Sequence, residues 1–171
     1  SLLVTLVRIG KTFMDKQELL ALTGQEIGVS EWFHVTQDKV NAFADATSDY
    51  QFIHIDPERA AAAGYSGTIA HGFFTLSLLA AWSDEVLPDV QGMHMSINYG
   101  TEKVRFLSPV PVSSSIRARF KLTSYDERKA GEVTLYWKVT VEIKDAEKPA
   151  LIAEWINRRY FSDAGENVPG Q

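Results

Sequence analysis

The sequence predicts an α+β domain in which an antiparallel sheet wraps around one long apolar helix. Three observations carry this. Helical signals fill the first half of the chain and strand signals the second. The segment FFTLSLLAAWSDEVL, which follows Gly72, has helical length and is apolar on nearly every face up to Trp82. A helix apolar all round is a buried one. Beyond Gly92 the side chains alternate: Ile116, Ala118, Phe120 and Leu122 with Arg117, Arg119 and Lys121, then Val133, Leu135, Trp137, Val139 and Val141 with Thr134, Tyr136, Lys138, Thr140 and Glu142. That period of two buries one face of a sheet.

Composition narrows the classes. A chain of 171 residues, 45% hydrophobic and 23% charged, is expected to form one globular domain. The absence of cysteine excludes disulfides, thiolate metal sites and a cysteine nucleophile. A formal charge of −5 argues against general nucleic-acid binding. The apolar start SLLVTLV has no basic residues before it and is far shorter than the ~20 residues of a membrane span. The expectation is a cytoplasmic protein with neither nucleic acid nor membrane as partner.

In order, residues 1–27 read as a lead-in, within which Asp15 caps a short helix, KQELLAL, closed by Gly24. Residues 28–162 form the main domain, and 163–171 a flexible tail. Gly28 to Val35 is apolar and aromatic enough for a strand. Thr36 caps the helix QDKVNAFADAT, with Val40, Phe43 and Ala44 on one face. Asp56 at the cap and Pro57 at the first position start the next helix, which runs to Gly64. Four strands follow, in MHMSINYGTEKVRF, SIRARFKLTSYDE, EVTLYWKVTVEIK and ALIAEWINRRYF, with turns at Ser108–Ser115, Asp126–Gly131 and Asp145–Pro149. Long strands with short turns predict a meander.

Between the second helix and Asp56 lie Asp49 and His54. Five residues is too wide for one helical turn and suits a short loop that folds both side chains toward one point. A carboxylate and an imidazole that converge can hold one water, remove a proton and deliver one, which addition or elimination of water requires. The competing reading is a carboxylate that caps a helix end and a histidine that serves structure.

The block FADATSDYQFIHIDPERA resembles the hydratase signature of the MaoC-like dehydratases, the (R)-specific enoyl-CoA hydratases. Its matching positions are Ser48, Asp49, Gln51, Phe52, Ile53 and His54. Downstream, TIAHGFFTLSLL resembles that family's helix start, and NYGTEKVRFLSPV its first core strand. The resemblance runs from about Val29 to Phe161. A Gln-aromatic pair in place of Asn-Pro is similar to the NodN-like branch, and Ser48 stands where the family usually has Gly. The implied fold is the hot-dog fold, a long central helix wrapped by an antiparallel sheet.

The resemblance implies (R)-specific hydration of trans-2-enoyl-CoA to (R)-3-hydroxyacyl-CoA, or the reverse dehydration. Asp49 and His54 would position the catalytic water, and the Gly72 backbone N–H would polarise the thioester carbonyl. No metal or redox cofactor is implied; CoA or a carrier protein is the substrate's handle. Competing functions are a hot-dog acyl-CoA thioesterase, which would place a carboxylate on the central helix, and a non-catalytic acyl-thioester binder. The central helix has no carboxylate before Asp84.

Remaining candidates weigh lighter. Ser77 lies on the central helix, either near the site or bonding its own backbone. Lys103 and Arg105, with Arg117, Arg119 and Lys121, form a phosphate-binding patch or a solvated sheet face. His71 is assigned structure, His34 and His94 no role, and no ligand spacing points to a metal. The resemblance also implies a homodimer joined along sheet edges, which Val4, Leu6 and Val7 would extend.

Overall fold

The computed structural model describes residues 13–162, so Val4, Leu6, Val7 and the 163–171 tail lie outside the described residues. β1 (Phe13–Met14) leads into α1 (Lys16–Ala21), which Asp15 caps by accepting a 2.8 Å bond from the Glu18 N–H while Glu18 reaches back to the Asp15 N–H. Leu19 of α1 and Met14 enter the core, so the lead-in contributes to the packing. β2 (Glu26–Val29) and β3 (Phe33–His34) follow in place of the single strand expected from Gly28 to Val35. The break lies at Ser30, whose side-chain hydroxyl accepts the Ala118 N–H at 3.0 Å.

α2 (Gln37–Thr47) begins at the Thr36 cap as expected, with Val40 and Ala44 buried. After it come α3 (Phe52–Ile55), a single turn, and α4 (Pro57–Ala62), capped by Asp56. The expected long helix is two segments, α5 (Gly72–Ser77) and α6 (Leu79–Val86), with a turn at Leu78 between them. It is not buried all round. Phe74, Leu79 and Trp82 are buried, whereas Phe73 is 68% exposed and Ser77, Ala80, Ala81 and Asp84 continue the open side. An apolar residue on every face reports little polarity, not which faces this chain alone covers. None of the helices in the described residues is long and apolar enough to cross a membrane.

β4 (Asp89–Val90) pairs in parallel with β1. The long strands are β5 (Met93–Phe106), β6 (Ser115–Lys129), β7 (Glu132–Ile143) and β8 (Leu151–Phe161). The main sheet is antiparallel in the order β2-β6-β7-β8-β5, with β3 also on β6. The expected simple meander holds only for β6-β7-β8. β5 pairs with β8 rather than with its neighbour in sequence, so Ser108–Ser115 is a crossover and not a turn. Its backbone is zipped elsewhere: Ala70 N–H donates to Val110 O at 2.8 Å and Val112 N–H to Thr68 O at 2.9 Å.

The inner residues of β6 and β7 named from the alternation are all buried, and they close over α5 and α6. Phe33 meets Trp82 edge-on at 6.2 Å, and Phe120 meets Trp137 edge-on at 6.3 Å. β2 presses so closely on α6 that a Cβ at Gly28 would lie 3.0 Å from Val86. The buried Trp137 indole N–H is satisfied by Asn157 Oδ1 at 3.1 Å.

Candidate active site

The chain reverses direction between α2 and α3, and the residue that turns it is Ser48. It closes α2 in the left-handed region, at φ 59° and ψ 26°. Asp49 follows, exposed, its Oδ1 accepting from the Gln51 N–H at 3.4 Å. His54 sits on the one-turn α3, not in an open loop, and is 6% exposed. Gln37, from the first turn of α2, fixes this turn from behind. Its Nε2 donates to the His54 carbonyl at 2.7 Å and its Oε1 accepts from Thr68 Oγ1 at 2.6 Å.

A third side chain belongs to the group. His71 caps α5, is 3% exposed, and offers a ligating atom that lies, with those of Asp49 and His54, in a cluster no wider than 4.8 Å. The two imidazoles stack, with centroids 3.8 Å apart and planes 24° apart, and Phe43 packs on His71 at 4.9 Å. His54 Nδ1 lies 2.7 Å from the Ile69 carbonyl, and His71 Nε2 lies 3.0 Å from the Asp49 carbonyl. A carbonyl only accepts, so each of these nitrogens carries the proton. That leaves His54 Nε2 as an acceptor. Burial, reinforced by the adjacent His71, lowers the His54 pKa from its ordinary value; the Ile69 bond and the Asp49 charge oppose that shift. Burial thus favours the neutral form of His54, whose Nε2 can accept a hydrogen bond.

The trio has the residue types of a metal site, with its ligating atoms within 4.8 Å of one another. The two imidazoles are stacked, 3.8 Å apart and 24° from parallel, so their in-plane lone pairs lie in separate planes.

Beside His54 opens a cavity of about 280 Å³. Ile69, Ala70, Gly72 and Thr75 line it together with Leu107, Ser108, Pro109 and Val110 of the crossover. A Cβ at Gly72 would lie 2.9 Å from the Phe106 ring, so the absent side chain makes room for that ring at the cavity wall.

The expected residues divide accordingly. Asp49 and His54 converge, and Gly72 lines the same cavity as His54. Ser77 is exposed and donates to the Phe74 carbonyl at 2.7 Å. Lys103 and Arg105 line a separate groove with Lys138 and Glu154, which shares no residue with the cavity. Arg117 and Arg119 are paired to Glu142, at 2.8 Å and 2.6 Å. His71 and Thr75 escaped the sequence reading as site residues. The available signal was their place in TIAHGFFT, immediately around Gly72.

Residues 18–143 match the family model described as MaoC like domain. The chain is 46% identical over 148 residues to a Mycobacterium tuberculosis (H37Rv) protein named 3-hydroxyacyl-thioester dehydratase Z, covering 86% of this chain and 97% of that one. It is 49% identical over 134 residues to Nodulation protein N of Rhizobium leguminosarum bv. viciae, covering 78% of this chain and 83% of that one. Among solved structures, the (R)-hydratase from A. caviae involved in PHA biosynthesis superposes with a TM-score of 0.62 at 26% identity, over 79% of this chain and 94% of that one. A MaoC-like dehydratase from Rhodospirillum rubrum, 17% identical over 82% of this chain and 93% of that one, shares the fold at a TM-score of 0.67.

Proposed function

The chain belongs to the MaoC-like family, a hot-dog-fold family of hydro-lyases, and from that premise we propose that it hydrates trans-2-enoyl thioesters to (R)-3-hydroxyacyl thioesters, or runs the reverse dehydration. One observation carries the reading: the Asp49 carboxylate converges on His54, which lines the cavity and whose Nδ1 faces the Ile69 carbonyl, so that Nε2 is left as the acceptor. Relatives named as a 3-hydroxyacyl-thioester dehydratase and an (R)-hydratase support it.

In this reading one water donates a hydrogen bond to the Asp49 carboxylate and another to His54 Nε2, which leaves an oxygen lone pair for C3 of the enoyl group. As the C3–O bond forms, the C2=C3 electron pair moves toward the thioester oxygen. Asp49 takes one water proton and delivers it to C2, and the hydroxyl left on C3 keeps the other, held by His54. Both additions come from one side of the substrate. The Gly72 N–H meets the thioester oxygen as it gains charge. α5 has six residues, so the donor acts as a local N–H and not through a long helix. No metal or redox cofactor enters these steps. CoA or an acyl carrier holds the substrate.

The proposal includes a homodimer. β5 is a fourteen-residue strand that pairs, among the described residues, with β8 alone, and it carries exposed Met95, Ile97 and Tyr99. Such an edge invites a second strand. Light scattering is expected to give twice the chain mass; the single-chain mass would contradict it.

The function is tested by following crotonyl-CoA and a longer trans-2-enoyl-CoA. Loss of enoyl absorbance with an (R)-3-hydroxyacyl product is expected. Release of free CoA thiol without hydration would instead indicate a thioesterase. Binding without either reaction would indicate a non-catalytic binder.

A further inference from the structure

Thr75 is 2% exposed and lines the cavity with His54 and Gly72, yet among the described residues its hydroxyl has no hydrogen-bond partner. A helical Ser or Thr ordinarily turns its hydroxyl onto a carbonyl three or four residues back. Its neighbours do so: Ser77 donates to Phe74 O and Ser83 to Ala80 O, each at 2.7 Å. The carbonyl four residues before Thr75, that of His71, accepts the Thr75 backbone N–H at 3.3 Å and, among the described residues, no side-chain hydroxyl. An unpaired buried hydroxyl costs stability. A ligand that satisfies it on binding accounts for that cost. Helical side chains tilt toward the helix start, so the side chain of Thr75 covers the turn that opens at Gly72, three residues earlier on the same face.

We infer that Thr75 is a second donor to the thioester oxygen, beside the Gly72 N–H. The inference rests on the hydration reading. The hydroxyl keeps its proton throughout. It donates to the oxygen that receives the C2=C3 electron pair while water bonds C3, and it yields that charge again when C2 is protonated. A donor whose bond strengthens in the transition state acts on kcat more than on KM.

The test compares wild type, Thr75→Val and Thr75→Ser in crotonyl-CoA hydration and thermal melting. Valine keeps the shape and removes the hydroxyl; serine keeps the hydroxyl. Thr75→Val is expected to lower kcat about 10²-fold with KM within about threefold. Its Tm should hold or rise, because a buried unpaired group is gone. Thr75→Ser is expected to stay within about threefold of wild type. The inference is overturned if Thr75→Val also stays within that range, or if Thr75→Ser falls as far as Thr75→Val, since shape alone would then matter. It is also overturned if the Thr75→Val loss vanishes in a His71→Phe background, because the hydroxyl would then act through the buried, unpaired His71 Nδ1. A wild type inert toward enoyl thioesters is a different failure: it removes the hydration reading, and this assignment with it.

Discussion

His71 lies flat against His54, with ring centroids 3.8 Å apart, and from that position it donates to the backbone carbonyl of Asp49 at 3.0 Å. One side chain thus holds both members of the proposed pair: it stacks on the imidazole and anchors the loop that carries the carboxylate. His71 is in this account a positioning residue. His71→Phe keeps the stack and removes the anchor, and it is expected to lower kcat/KM about tenfold. The neighbouring imidazole also disfavours charge on His54. Its removal should therefore move the acid limb of the kcat/KM profile to higher pH. A purely structural His71 would lower the active fraction and leave that limb in place.

The same shift links pH to stability. The His54 pKa is lowered in the folded chain, chiefly by burial. Above the unfolded value of about 6.5 both states hold neutral His54, and its contribution is complete. As pH falls from there through the folded pKa, the unfolded chain binds the proton first, and stability is lost. The Tm is expected to drop between about pH 7.5 and about pH 5.5, and to drop less in His54→Gln. Equal drops in both proteins would contradict this.

Ser48 turns the chain into the site at φ 59°, a conformation that costs a side-chain-bearing residue about 1–2 kcal/mol. Ser48→Gly removes that strain. It is expected to stabilise the protein by about 1 kcal/mol, a Tm rise of roughly 2–4 °C, with hydration within about threefold of wild type. An unchanged or lower Tm would show that the serine is not strained there.

How much of this was legible in the sequence depends on range. The bounds of α2 and of the long strands follow from caps and from period two, which are local signals. The left-handed φ of Ser48 accords with a position where glycine is the usual residue. Strand order was not legible: alternation in β6 and β7 reports buried faces, and nothing in 107–114 says that β5 will pair with β8. The turn at Leu78 was hidden because apolar residues continue across it. His71 read as structural because its meeting with His54, seventeen residues away, exists only in the fold.

Gly72 tests the cavity itself. A methyl there would press on the Phe106 ring at 2.9 Å and stand before the backbone N–H. Gly72→Ala is expected to lower hydration at least about tenfold. Adding Phe106→Ala frees the space for the methyl but not the approach to the N–H, so the double variant should remain slow. Full recovery in the double variant would assign the loss to the displaced ring.

The central claim is that Asp49 and His54 activate one water. The most direct measurement is crotonyl-CoA hydration by wild type, Asp49→Asn and His54→Ala, with folding checked by melting and product stereochemistry at C3 determined. Wild type is expected to give an (R) product, and each variant to lose about 10²–10⁴-fold in rate with the fold intact. Hydration that persists near the wild-type rate in either folded variant would contradict it.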